Sequence, residues 1–261
     1  MKYKIIVWES GNFFPFALCN SLQNLGDFEF YAIIDTTNKK KLFFHEQKFV
    51  EFKKVWYYHD HIDSKNKKVD FNYLKSFEEK YGIDLYVLSL NERLFYYYNE
   101  YYDFTNHEIL SILESECKLF EKIIEETKAD FFITLETAFH HHHLFYLLCK
   151  AMNVKPLMLY QSKFSQKSLI SQEYQKLDGN SAAYILKRTD RSFSDLQNIL
   201  KHSGLRSQLI KHKNNFMTSK KEKIKAVFNY LLSSHSSDIK DRKSTRLNSS
   251  HSQQSRMPSS A

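Results

Sequence analysis

"YKIIVWESGNFFPFALCNSLQNLGDFEFYAIID", residues 3–35, decides the fold class. Residues 3–8 form a short apolar run rich in β-branched and aromatic side chains, which suits a strand buried on both faces. The run stops at Glu9-Ser10-Gly11-Asn12. Residues 13–25 then carry apolar side chains at helical spacing, with Asn12 as the N-cap, Pro15 tolerated in the first turn and Gly26 as the stop. "FEFYAIID" (28–35) reads as a second buried strand, and "KVWYYHDH" (54–61) as a third after a lysine-rich connection. Strand, helix, strand in this order predicts parallel pairing through crossovers, the opening of a Rossmann-like α/β sheet flanked by helices.

The alternation continues downstream. A helix is expected over residues 71–82, followed by an aromatic-rich stretch to residue 104. Thr105 and Glu108 then form a capping box that opens the clearest helix of the chain. Ile109, Ile112, Leu113, Leu119, Phe120, Ile123 and Ile124 trace its apolar face to about residue 128. "DFFITLE" (130–136) reads as a strand, the next helix runs to about residue 152, and "KPLMLYQS" (155–162) is a further strand. The expected organisation is a Rossmann-like domain over residues 1–178, a basic helical segment over 179–240 and a structureless tail over 241–261. That tail is serine-rich, without apolar periodicity, and its residues 241–251 resemble a translated sequencing adapter. It is therefore read as foreign to the fold and the chain as cut short.

Composition bounds the function. With 261 residues, 42% of them hydrophobic and only five glycines and three prolines, the chain can bury a core and is neither collagen-like nor low-complexity. No apolar run reaches the length of a membrane span, and no signal peptide is recognisable, so a cytoplasmic location is expected. Cys19, Cys117 and Cys149 stand far apart among apolar neighbours, the pattern of reduced core thiols. The tail holds four Lys/Arg and one Asp, so the remaining 240 residues hold 34 basic and 29 acidic side chains, a net +5. That mild bias suits an anionic small molecule or a membrane surface and does not mark a nucleic-acid partner. The aromatic block of residues 93–104 does not either, because Glu100 and Asp103 interrupt it with the wrong charge.

Candidate site residues follow from address. In open parallel sheets ligands gather beyond the carboxyl ends of the strands. Glu136, Thr137 and His140 hold that address after the strand at 130–136, and His59, Asp60 and His61 hold it after the third strand. A His-Asp pairing at residues 59–61 would position an imidazole as general base. Gly11 and Asn12 occupy the first crossover, where helix N–H groups face an anionic or hydroxyl-rich ligand. Asn91, Glu92 and Arg93 in "LNER" read either as a polar corner of the cleft or as an exposed helix start. The run His140 to His143 allows packing, substrate contact or metal binding. No metal is expected, because adjacent helical residues project about 100° apart, leaving only His140 and His143 to share an ion, and there is no HExxH motif. No cofactor is expected: Asp35 ends the second strand where a ribose-binding acid would stand, yet "ESGNFF" lacks GxGxxG.

The phrases "IIVWESGNFFPFALCNSL", "KVWYYHDHI", "LNERLFYYYN", "FTNHEILSILESECKLFEKIIEETKADFFIT" and "LMLYQS" resemble the N-terminal half of capsule polysaccharide biosynthesis proteins, a group similar to two-domain GT-B-type glycosyltransferases. The resemblance implies an acceptor-side Rossmann-like domain, with a nucleotide-sugar donor and a glycan acceptor as partners of the intact protein. It further implies Glu136, His59, His61 and His140 as the residues to test for proton transfer, with Gly11, Asn12, Asp60, Thr137, Asn91 and Arg93 binding substrate. Peripheral contact with the inner membrane face or the capsule assembly machinery is also in keeping with it. The donor domain would lie beyond residue 240, so no turnover is expected from this chain alone. The alternative is a non-catalytic Rossmann-like module that holds an anionic glycan or a lipid-linked intermediate.

Overall fold

Strands buried on both faces need continuous apolar runs, and the first, second and fourth strands supply them. The computed structural model describes residues 2–10, 13–36, 38–63, 68–96, 102–135, 137, 139–161, 168–173, 176, 178 and 192–202. They fall into two compact units, one within Met1–Pro156 and one within Leu157–Ser234.

In the first unit β1 (Tyr3–Glu9) is central. It pairs parallel with β2 (Phe28–Ile34), from Tyr3 opposite Phe28 to Glu9 opposite Ile34, and with β4 (Phe131–Thr134), from Ile5 opposite Phe131 to Val7 opposite Ile133. On its other side β2 pairs parallel with β3 (Phe52–Tyr57), with a register shift at Phe30/Tyr31. The order is β3-β2-β1-β4. The chain thus steps outward from β1 to β3 and returns on the far side of β1, which makes the β1/β4 boundary a topological switch point. Ile5, Ile6, Val7, Trp8, Ala32, Ile33, Phe132 and Ile133 are buried, so this part of the sheet is the core.

The helices are set by local chemistry. α1 (Phe14–Leu22) has Pro15 in its first turn, as expected. It ends four residues before Gly26, whose role is different: a Cβ there would meet the Phe28 ring at 2.8 Å. α2 (Asn38–Glu46) occupies the lysine-rich connection, which has little apolar periodicity of its own. A 3-10 turn (Tyr58–Asp60) follows β3. Asp70 caps α3 (Phe71–Tyr81) by accepting from Tyr73 N–H at 2.9 Å, and Gly82 closes it in the left-handed region at φ 65°. Asp84 caps α4 (Leu85–Leu90), and α5 (Arg93–Tyr96) follows within the aromatic block. The expected capping box opens α6 (Asn106–Thr127), and α7 (His140–Ala151) carries the histidines.

The second unit is smaller. β5 (Lys155–Gln161) pairs antiparallel with β6 (Ser168–Ser171), and α8 (Phe193–His202) lies in the basic segment. Gly11, Asn12 and Glu136 are outside the described residues, as is everything beyond 202, including the tail. Among the described residues no helix is long and apolar enough to cross a membrane.

Helix α3 meets α6 at two carboxylates: Glu114 accepts from the Asp70 N–H at 3.0 Å, and Glu121 takes most of the donors. Glu121 accepts from Tyr73 and Tyr81 hydroxyls and from Lys80. Burial alone would raise its pKa, but these donors outweigh burial and hold it below the usual carboxylate value. A depressed folded pKa contributes stability above the unfolded value and loses it as pH falls through the folded one. Glu121→Gln is therefore expected to lower Tm by about 2–4 °C at pH 7, with the gap closing in acid below roughly pH 4. Circular-dichroism melts across pH check this; an equal gap at pH 7 and pH 3 contradicts it.

Candidate functional site

Parallel strands deliver their carboxyl ends to one edge, and here those ends turn polar. Glu9 ends β1, Asp35 follows β2, Tyr58 and His59 follow β3, and Thr134 ends β4. Glu9, Asp35, Tyr58 and Thr134 are buried, and Asp35 N–H donates to the Glu9 carbonyl at 2.8 Å. Buried polar groups must find partners. Three segments reach in to provide them: the first turn of α7, the α4–α5 junction with Glu92, and α6 with Glu116.

His140 is clamped between two acids. Its Nδ1 lies 2.7 Å from Glu92 Oε2 and its Nε2 2.9 Å from Glu116 Oε1, while its backbone N–H donates to the same Glu92 oxygen at 2.7 Å. Tyr58 also donates its hydroxyl to Glu116 Oε1. Burial alone would push the His140 imidazole down; the Glu116 and Glu92 carboxylates overturn that and hold its pKa up at about 10. His140 is thus an imidazolium at neutral pH with both ring N–H groups engaged. For Glu92, burial is outweighed by His140 and by the Leu94 and His140 backbone N–H groups, which hold the carboxyl below its ordinary value. Burial, then the Glu116 charge, pushes the Tyr58 phenol well up, so it remains a donor.

Asp35 forms a second hub. His141 Nε2 and His142 Nε2 stand 3.2 and 3.1 Å from its Oδ2, and His59 Nε2 stands 3.0 Å from its Oδ1. Adjacent histidines therefore do meet at one atom, against the expectation from their 100° separation. Side chains in a first helical turn lean toward the N-terminus, and two imidazole arms can fold over that end onto a group beyond it. His59 pairs with Asp35 rather than with Asp60, which instead binds Lys41 at 2.6 Å.

A cavity of about 460 Å³ opens between α4 and the start of α7. It brings together Asn91, Thr137 and His140 of the expected site residues, along with Glu92 and His143. Asn91 also caps α4, its amide donating to the Val87 carbonyl at 3.0 Å. Burial pushes the half-buried His143 imidazole below its ordinary value, and its ring stacks on Tyr146. His59 is half-buried at the Asp35 hub, whereas Asp60, His61 and Arg93 are exposed and none of these four lines this cavity. All three cysteines are free and buried, and burial with the nearby Glu9 charge raises the Cys19 thiol to about 12.

Sequence reasoning placed Glu92 in a polar corner without its partner His140, and it missed Glu116 and the role of Asp35 as a hub. Glu116 left a readable trace, because it falls on the apolar stripe of α6 between Ile112 and Phe120 at four-residue spacing. No family model, curated protein or solved structure matches the chain. The site therefore has to be read from its geometry.

His140→Ala leaves Glu92 and Glu116 facing one another without their shared partner. A loss of about 3–5 kcal/mol is expected on urea denaturation, the cost of breaking a buried charge pair from one side. Adding Glu92→Gln and Glu116→Gln should recover part of it. A loss under about 1 kcal/mol would show that the clamp is not a structural requirement.

Proposed function

We propose that the first unit is the acceptor-binding domain of a sugar transferase of surface-polysaccharide assembly. The cavity between α4 and α7 holds the glycan acceptor, while a nucleotide-sugar donor is presented from elsewhere in the intact protein. The supporting observation is the mixed lining of that cavity. Ile83, Val87, Leu88 and Leu147 offer apolar walls, and Asn91, Glu92, Thr137, His140 and His143 offer donors and acceptors. A pyranose has the complementary make-up, with C–H faces for apolar contact and a rim of hydroxyls for hydrogen bonds. The volume falls in the range of small-ligand sites, and the address is the carboxyl end of a parallel sheet.

Transfer breaks the bond from the anomeric carbon to the nucleotide oxygen and forms one to an acceptor hydroxyl, which gives up its proton. His140 cannot receive that proton, because both its nitrogens are committed to Glu92 and Glu116. His143, whose ring lines the same cavity, is placed to receive it.

The test is chemical-shift perturbation in protein-detected NMR of the isotope-labelled full chain, with a panel of neutral and uronic-acid-containing oligosaccharides and with UDP-glucose as probes. The oligosaccharides should shift resonances of Asn91, Thr137 and His143, and Thr137→Val or His143→Ala should weaken binding about tenfold, the scale of one lost hydrogen bond. UDP-glucose should leave those resonances in place. The reading fails if no oligosaccharide binds, or if the shifts fall on other residues.

A further inference from the structure

The Asp35 hub lies outside the cavity lining, and its chemistry is separate from the acceptor reading. Three imidazole Nε2 atoms close on one aspartate whose side chain is 0% exposed. Donor atoms of Asp35, His141 and His142 all lie within 4.8 Å of one another. In a tetrahedral site with metal–ligand bonds of about 2.0–2.1 Å, neighbouring ligand atoms stand about 3.3 Å apart. The 3.1 and 3.2 Å separations from Asp35 Oδ2 are already close to that coordination edge.

The surroundings favour a cation as well. Glu9, Asp35, Glu92 and Glu116 are all buried, and among the described residues no lysine or arginine is. Buried carboxylates need compensating charge, which leaves imidazoles or a bound ion to provide it. Glu116 Oε2 is buried with no hydrogen-bond partner among the described residues, and a carboxylate oxygen of Glu116 lies within 4.8 Å of ring nitrogens of His140 and His141. The rings are fixed in place: His141 is stacked between Tyr58 and Phe139, with centroids at 4.8 and 5.6 Å, and His142 meets Trp8 edge-on at 4.7 Å.

We propose that Asp35 Oδ2, His141 Nε2 and His142 Nε2 bind one first-row divalent transition-metal ion of the zinc class, with His59 holding the other Asp35 oxygen as an outer partner. Two imidazoles and a carboxylate suit such an ion, whereas calcium and magnesium take oxygen ligands. Three protein ligands leave a fourth position for water, as in catalytic rather than structural zinc sites. His59 Nε2, 3.0 Å from Asp35 Oδ1, stands where an outer-shell partner of the carboxylate stands in other metal sites. The ion would join the ends of β2 and β3 to the first turn of α7.

The test uses the full 261-residue chain, stripped with a chelator and dialysed against Zn²⁺ or Co²⁺. One equivalent of zinc should remain, Tm should rise on loading, and Co²⁺ should give the intense visible bands of four-coordination. Asp35→Asn and His142→Gln should each weaken affinity at least tenfold, and His59→Gln by several-fold, while His143→Ala leaves it unchanged. A run of histidines also binds such ions without any fold, and that outcome is distinguishable. Affinity that is equal in Asp35→Asn and the parent chain, or that falls equally with His143→Ala, would mean binding by the run alone and would overturn the proposal. Should Asp35→Asn fail to fold by circular dichroism, His142→Gln and the Co²⁺ spectrum decide; weak six-coordinate bands would count against the site.

Discussion

A carboxyl group taken out of water must be met by donors, and this constraint organises the first unit. The parallel sheet brings the ends of β1 and β2 to one edge, where Glu9 and Asp35 are buried. α6 and the α4–α5 junction add Glu116 and Glu92. Desolvating one unpaired acid would cost several kcal/mol, comparable to the whole stability of a domain. The path of the chain around this edge is therefore not free: α7 can begin only where its histidines reach those acids. Imidazole suits the task because it carries two polar atoms on a flat apolar ring. It can bridge acids while packing against Trp8, Tyr58, Phe95 and Phe139.

The first turn of α7 divides this work by angle. His140 and His143 are three residues apart and share a helix face, so both line the cavity. His141 and His142 project away from that face and fold onto Asp35. A helix N-terminus ordinarily disfavours cations, and Phe139 at the N-cap has no oxygen to offer the first N–H groups. Glu92 resolves both difficulties with one oxygen, accepting from the His140 backbone N–H and from its ring. A residue 48 positions upstream thus does what a local cap does in other helices.

How much of this the sequence revealed depended on distance along the chain. β1, the capping box at Thr105 and Glu108, and the strand before the histidines were readable because periodicity and capping are local. α2 was not, since its sequence lacks a clear apolar stripe, and what it packs with, Phe43 and Phe44 against Phe13 and Phe16, is set by the fold. The site was half-readable. The address of His140 and Thr137 followed from strand order, but the partnerships of His140 span 24 and 48 residues and that of His141 with Asp35 spans 106. Nothing in "LNER" indicates that Glu92, rather than Asn91 or Arg93, turns inward. The His59–Asp60 pairing failed for a related reason: the neighbour in sequence points to Lys41 on α2, while the neighbour in space is Asp35.

Glu92 belongs both to the His140 clamp and to the cavity lining, and its chemistry limits what that cavity can do. Its carboxylate receives Leu94 N–H on Oε1 at 2.8 Å and His140 twice on Oε2. A carboxylate so engaged is held in its ionised form and is a poor proton acceptor, although its remaining lone pairs can still receive a ligand hydroxyl at the cavity wall. On the proposed acceptor reading, proton uptake in the cavity then falls to a group not already committed, and the cavity lining offers His143. The same commitment makes Glu92 rigid. A carboxylate fixed by three donors would, on the proposed acceptor reading, give up little freedom on binding, which suits an orienting group rather than a reacting one.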